Sequence, residues 1–209
     1  MQEAKVGLFC YPSLMKGRQL PEALPLGTKR IGELVIERAS EISDRVIVVA
    51  TDEEQANLIG SMAEERGMDS TSEVIGDEAS IPRMVEAALG ASERGSLLAM
   101  PSASPYIQPD VLGLMMELLE GREGVFLRQK DGSVYEFLFA VEAEPVRNSL
   151  ISEGLPPDVP GIMDRLVRTI AISWGALSML DPLHASYFLV RTDADYLAAK
   201  RMLNRVTKY

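Results

Sequence analysis

Short runs of unbroken apolar residues, each followed by a segment with helical periodicity, constrain this chain more than any other feature. Residues 6–10 (VGLFC), 45–50 (RVIVVA) and 97–100 (LLAM) are almost wholly apolar, so strands built from them bury both faces. After the first two runs, Ile31, Leu34, Val35, Ala39 and Ile42, and then Leu58, Ile59, Met62 and Ala63, recur at three- and four-residue spacing, giving each helix one apolar stripe. A strand buried on both faces needs helices above and below it. The pattern therefore predicts an α/β fold, a Rossmann-like three-layer sandwich with a mainly parallel sheet, as one domain over 1–209.

Local signals fill in the order. Ser80 as N-cap and Pro82 in the first turn open a third helix, and 110–119 forms a fourth. Lys130-Asp131-Gly132 is a turn signal between apolar runs at 124–128 and 133–141, which predicts a hairpin-like antiparallel addition to the sheet. Further strands are expected at 73–76, 170–174 and 187–190, with helices at 161–168 and 193–206. Asp193 is expected as the N-cap of the last helix. Residues 152–161 hold three prolines and two glycines, and no regular structure is expected there.

The formal charge of −10, from 31 acids against 21 bases, argues against a nucleic-acid partner, because no basic face is available to displace counterions from phosphate. No apolar run approaches the roughly 20 residues that span a bilayer, and residues 1–10 lack the layout of a secretory signal, so the expectation is a cytoplasmic protein with no membrane partner. The single cysteine, Cys10, excludes an internal disulfide and a cysteine-based zinc site, and reads as a small buried hydrophobe. The oligomeric state is left open. Against this acidic background, 11–30 is a positive island, with Lys16, Arg18, Lys29 and Arg30 against one acid, Glu22.

In open α/β sheets ligands bind beyond the carboxyl ends of the strands. That rule selects the loop after Cys10, the Thr51-Asp52 turn, the loop after Met100 and the edge beyond Val190. The first is the best candidate for a polyphosphate: Lys16 and Arg18 supply charge, and Gly17 between them lets the backbone approach closely. The alternative is a solvated loop whose cations serve solubility. Ser102 and Ser104 are candidate donors to a ribose or phosphate, although serine beside proline is also ordinary turn chemistry. His184 has no histidine companion to suggest a metal site, and Trp174 reads as core or rim.

The stretch from Met15-Lys16-Gly17-Arg18 through Pro25-Leu26-Gly27-Thr28-Lys29, the run Asp44-Arg45-Val46-Ile47-Val48-Val49-Ala50-Thr51-Asp52, and Pro101-Ser102-Ala103-Ser104-Pro105-Tyr106-Ile107 resemble, in order, the motifs of nucleotidyltransferases of the molybdenum cofactor guanylyltransferase type. That group belongs to a wider superfamily with the sugar nucleotidyltransferases. Asp131-Gly132 through Phe139-Ala140-Val141 and the segment 187–197 continue the resemblance, which covers nearly the whole chain.

The resemblance implies transfer of a nucleoside monophosphate, GMP first, from GTP to a phosphorylated acceptor such as molybdopterin, with Mg²⁺ as cofactor. Lys16 and Arg18 would act on the triphosphate, and Gly17, Lys29, Asp52, Ser102 and Ser104 would line the nucleotide site. Several family positions are altered. Tyr11-Pro12 replaces a glycine pair, the family lysine falls near Glu22, Ala103 stands where a metal-binding aspartate is expected, and Leu189 and Arg191 replace two asparagines. An alanine cannot ligate Mg²⁺, so the metal ligands are unassigned, with Asp52, Asp131, Glu136 and Asp193 as possible substitutes. Two alternatives follow: a non-catalytic nucleotide-binding descendant of the fold, or a CTP-dependent cytidylyltransferase for an acidic sugar.

Overall fold

A seven-stranded sheet organises the computed structural model, which describes residues 4–76, 79–92 and 95–206. In chain order the elements are β1 (Ala4–Phe9), a small hairpin of β2 (Pro25–Leu26) and β3 (Lys29–Arg30), α1 (Ile31–Ser40), β4 (Arg45–Ala50), α2 (Glu53–Glu65), β5 (Asp69–Val74), α3 (Ile81–Gly90), β6 (Ser96–Pro101) and α4 (Pro109–Leu119). There follow β7 (Gly124–Arg128), β8 (Val134–Glu142), α5 (Ala143–Glu153), α6 (Val159–Asp164), β9 (Thr169–Ile172), α7 (Trp174–Leu177) and α8 (Asp193–Val206).

The strand order is β5-β4-β1-β6-β8-β7-β9. Only β8 runs antiparallel to its neighbours β6 and β7, so the sheet is mainly parallel with one antiparallel addition.

Strand alternation divides the core into two layers. Val46, Val48 and Ala50 point into one apolar cluster, where Val35, Ile59, Met62, Leu112 and Met115 of α1, α2 and α4 meet them. Ile47 and Val49 face the other, packed with Met84 and Val85 of α3 and Val146 of α5. The unbroken apolar reading of 45–50 thus has a direct physical cause: each side of the strand meets helices. Both layers exclude water by burying large side chains completely, Leu8, Leu98 and Met100 in the first and Phe9, Phe126 and Phe139 in the second, each contributing roughly 1.5–3 kcal/mol of transfer energy. No helix among the described residues is long and apolar enough to cross a membrane.

Several boundaries differ from the sequence reading. The strand expected at 73–76 lies at Asp69–Val74, held to β4 from Arg45↔Asp69 to Ala50↔Val74. Its polar residues fit an edge strand that never has to bury both faces. The helix expected at 161–168 is Val159–Asp164, because Asp158 caps it by accepting from Gly161 N at 2.8 Å. The strand expected at 170–174 ends at Ile172, where Ser173 caps the short α7.

Residues 152–161 are not without regular structure throughout, since α5 extends to Glu153 and α6 starts at Val159. Residues 187–190 form no strand: after a 3-10 turn at Ala185–Tyr187 the segment meets the sheet through the side chains of Tyr187 and Tyr135, and Val190 N donates to Ala103 O in a loop instead of to a strand. Asp193 is not the N-cap of α8. Thr192 and Asp195 bond reciprocally there, with Asp195 N donating to Thr192 Oγ1 and Thr192 N to Asp195 Oδ2.

Candidate functional site

The carboxyl ends of β1, β4 and β6 are tied together by one buried polar cluster. Ser102 N donates to Phe9 O at 3.0 Å, which draws the end of β6 against β1. Beneath it lies Glu22, 1% exposed, in a 3-10 turn at Pro21–Ala23. Its Oε1 accepts from Ser102 Oγ at 2.5 Å and from Gln55 Nε2 at 3.1 Å. Gln55 also donates to Tyr11 O at 3.3 Å and accepts from Thr51 Oγ1 at 3.2 Å. Glu22 Oε2 has no partner.

Burial pushes the Glu22 carboxyl up from its ordinary pKa, against the hydrogen bonds that favour its charged form. The nearby Cys10 thiol is raised well above its usual value by its own burial and then by the charge of Glu22.

The expected site residues disperse around this cluster. Gly17 is left-handed, with φ 71°, in the turn Lys16–Arg18, and open space surrounds the place of its missing Cβ. The glycine is therefore demanded by conformation rather than by a close neighbour. Lys16 is exposed, and its backbone N donates to Asp193 Oδ2 at 3.3 Å. The side chain of Arg18 lies outside the described residues.

Lys29 turns away to Glu37, 2.5 Å from its carboxylate. Asp52 caps α2 by accepting from Gln55 N at 2.8 Å. Ser102 and Ser104 are both buried in the loop after β6, the first bonded to Glu22 and the second with no partner for its hydroxyl.

Ala103 sits between those serines in a third apolar cluster with Leu26, Ile31, Tyr106, Ala185, Val190 and Ala199. Its carbonyl accepts from Val190 N at 3.0 Å. The loop is closed from above by α8, where Ala199 O accepts from Tyr106 Oη at 2.5 Å.

A carboxylate at this position would enter an apolar pocket, and the candidate substitutes are engaged elsewhere: Asp52 on α2, Asp193 on Lys16 N, and Asp131 on Ser133 N and Oγ. Glu136 is half-buried and its pKa is raised by burial and then by Asp158. Among the described residues no three His, Cys, Asp or Glu side chains are grouped to hold a metal ion. Any Mg²⁺ at this edge would be held by one or two of these carboxylates together with the phosphates of the substrate.

Sequence reasoning also left three groups unassigned. Tyr11 packs its ring edge-on against Phe137, centroids 5.0 Å apart, with its hydroxyl buried and unpartnered. Arg191 carries a buried Nε without an acceptor. His184 adopts a left-handed φ of 49°, stacks on Trp174 at 3.6 Å and meets Ser178 Oγ through Nε2 at 3.1 Å, leaving Nδ1 buried and unpaired. No local pattern distinguishes these side chains; only their orphaned atoms do. Buried polar atoms are normally paired, so the orphans on the bonded loops of Tyr11 and Arg191 mark a place suited to a polar ligand.

No family model matches the sequence, and no curated protein matches it by sequence. Solved structures do match. Molybdopterin-guanine dinucleotide biosynthesis protein A from Archaeoglobus fulgidus superposes with a TM-score of 0.73 at 19% identity, covering 96% of this chain and 99% of that one. The 4-diphosphocytidyl-2C-methyl-D-erythritol synthase of Anaerococcus prevotii gives 0.67 at 13% identity over 98% and 99%. A cytidylyltransferase from Leptospira borgpetersenii gives 0.68 at 16% identity over 97% and 86%. The chain has the fold that these proteins share.

Proposed function

We propose that this chain, which has the nucleotidyltransferase fold, transfers a nucleoside monophosphate from a nucleoside triphosphate to a phosphorylated acceptor at the carboxyl edge of its sheet. GTP is the first donor to test, and CTP with an acidic sugar is the alternative. The observation that carries this reading is that Tyr11 Oη, Ser104 Oγ and Arg191 Nε all lack partners on loops bonded to one another, Leu14 N to Arg191 O and Val190 N to Ala103 O, with exposed Lys16 on the first of them.

In the reaction an acceptor oxygen attacks the α-phosphorus, a new P–O bond forms, and the bond to the β-phosphate breaks as pyrophosphate leaves with the electron pair. No protein nucleophile is needed; in-line placement and charge neutralisation supply the acceleration. Lys16 and Arg191 are the cations this reading places against the polyphosphate and acceptor, and Ser104 donates a hydrogen bond to an oxygen of the nucleotide.

A second reading, a nucleotide-binding protein without turnover, is favoured by Glu22 and Ala103. A carboxyl replaces a cation beneath the loop, and a methyl group replaces a carboxylate above it. Incubation with each of GTP, CTP, ATP and UTP, with and without Mg²⁺, alongside phosphorylated acceptors separates the two. Pyrophosphate release with one pair is expected. Saturable nucleotide binding with no release from any pair would establish the second reading instead.

A further inference from the structure

Arg191 stands apart from the other half-buried arginines. Arg30, Arg38 and Arg165 are paired with carboxylates, and Arg122, Arg128 and Arg147 donate to main-chain carbonyls. Arg191 alone among these has no acceptor, in a chain with ten more acids than bases. Its backbone is nevertheless fixed. Arg191 N donates to Asp195 Oδ2 at 3.1 Å, its carbonyl accepts from Leu14 N at 3.0 Å, and Val190 N beside it donates to Ala103 O. Two loops and the first turn of α8 therefore hold this segment in place while the buried Nε–H of Arg191 is left without an acceptor.

Tyr11 is the matching donor. Its hydroxyl is also buried and unpaired, and its loop is joined to Arg191 through Leu14 N, which donates to Arg191 O at 3.0 Å. Burial raises its pKa, so the phenol keeps its proton and can donate. Two unpartnered donors on bonded loops, one of them charged, are the chemistry that recognises an oxyanion. Leaving them unpaired costs stability, whereas a ligand bringing acceptor oxygens would satisfy both.

We propose that Arg191 and Tyr11 form an oxyanion subsite that holds the acidic group, phosphate or carboxylate, of the acceptor substrate. The word acceptor rests on the reading of nucleotidyl transfer given above; the oxyanion subsite itself does not. Glu136 is the opposing group, next on β8 to Phe137, whose ring packs against Tyr11. An acceptor oxyanion must therefore win against one acid. Neutralising that acid should tighten binding.

The subsite is tested by calorimetric titration of the full chain with inorganic phosphate and, in a parallel arm, acetate, neither of which needs a nucleotide or turnover. The intact protein should bind one of them saturably, and that arm identifies the acidic group. Arg191→Met should weaken binding about tenfold or more, and Tyr11→Phe, which removes only the hydroxyl, about threefold, each step of tenfold being about 1.4 kcal/mol. Glu136→Gln should tighten it. Arg83→Ala, on the outer helix α3 and paired with Glu86, should leave it within about twofold.

Circular dichroism establishes that each variant is folded, and Tyr11→Phe keeps the test decisive if Arg191→Met is not. Binding of neither anion by the intact protein would overturn the proposal, as would unchanged affinity in both variants. Loss of anion binding in the variants alongside absent pyrophosphate release would leave the subsite standing and refute the transfer reading.

Discussion

Two regions of this molecule each bury a carboxylate, and they treat it in opposite ways. Asp181, 2% exposed, lies in the turn before the 3-10 segment Ala185–Tyr187 and uses both oxygens, accepting from Ala185 N at 2.8 Å and from Ser186 N at 2.7 Å. Glu22, 1% exposed beneath the loop after β1, uses one oxygen and leaves the other without a partner. The first is an acid that organises backbone. The second is an acid whose surroundings do not complete its hydrogen bonding, and burial accordingly moves it towards the neutral form. Satisfied buried polar groups point to architecture, and half-satisfied ones at a ligand-facing edge point to function.

Removing the carboxylates one at a time is the sharpest way to break this contrast. Asp181→Ala strands two buried N–H groups and should destabilise the protein by about 3 kcal/mol, read from urea unfolding. A loss below about 1 kcal/mol would mean that the turn does not depend on its acid.

Glu22→Gln should do the reverse. Because the folded pKa of Glu22 is raised, its ionisation costs nothing below the unfolded pKa near 4.3, and the cost grows as pH rises through the folded value. The variant should therefore match the parent at pH 4 and become progressively more stable than it as the pH rises. An advantage independent of pH would show that ionisation is not the cause.

Ser102→Ala removes a donor to the charged form of Glu22 and should cost about 1 kcal/mol, more at high pH than at low. The smallest effect belongs to Lys29→Ala, which breaks an exposed pair with Glu37 and should change stability by about 0.5 kcal/mol or less. Its nucleotide affinity, measured alongside, tells whether a lysine turned to α1 contributes to the site at all.

The parts of the fold that were legible in the sequence were those where burial dictates composition. The run 45–50 could only be a strand covered on both sides, and Ser80 announced the helix it caps, whereas Asp52, read as a nucleotide-site residue, proved to cap α2. The turn at Asp131-Gly132 placed β7 and β8 as neighbours. By contrast, α5 buries only Ala143 and Val146, too thin a stripe to register as periodicity.

Residues 187–190 look like a strand because Phe188, Leu189 and Val190 are apolar, yet they pack over the loop of Ala103 and Tyr106 rather than into the sheet. Within the site, the serines flanking Ala103 were legible as loop polar groups. The bond between Ser102 and Glu22 joins residues 80 positions apart, and no local pattern encodes it. Arg191 was visible only as a substitution; its lack of an acceptor is a property of two loops and the first turn of α8 meeting.

The central claim is that the carboxyl edge binds nucleotide and that Glu22 beneath it governs how well an anion is held. Titrating GTP and CTP into the intact protein and into Glu22→Gln across the whole pH range in which both stay folded tests this directly, because ionisation of the ligand is common to both proteins. The account predicts that affinity falls with rising pH more steeply in the intact protein, and that the variant binds more tightly at the alkaline end. Identical pH profiles in the two proteins, or no binding of either nucleotide at any pH, would contradict it.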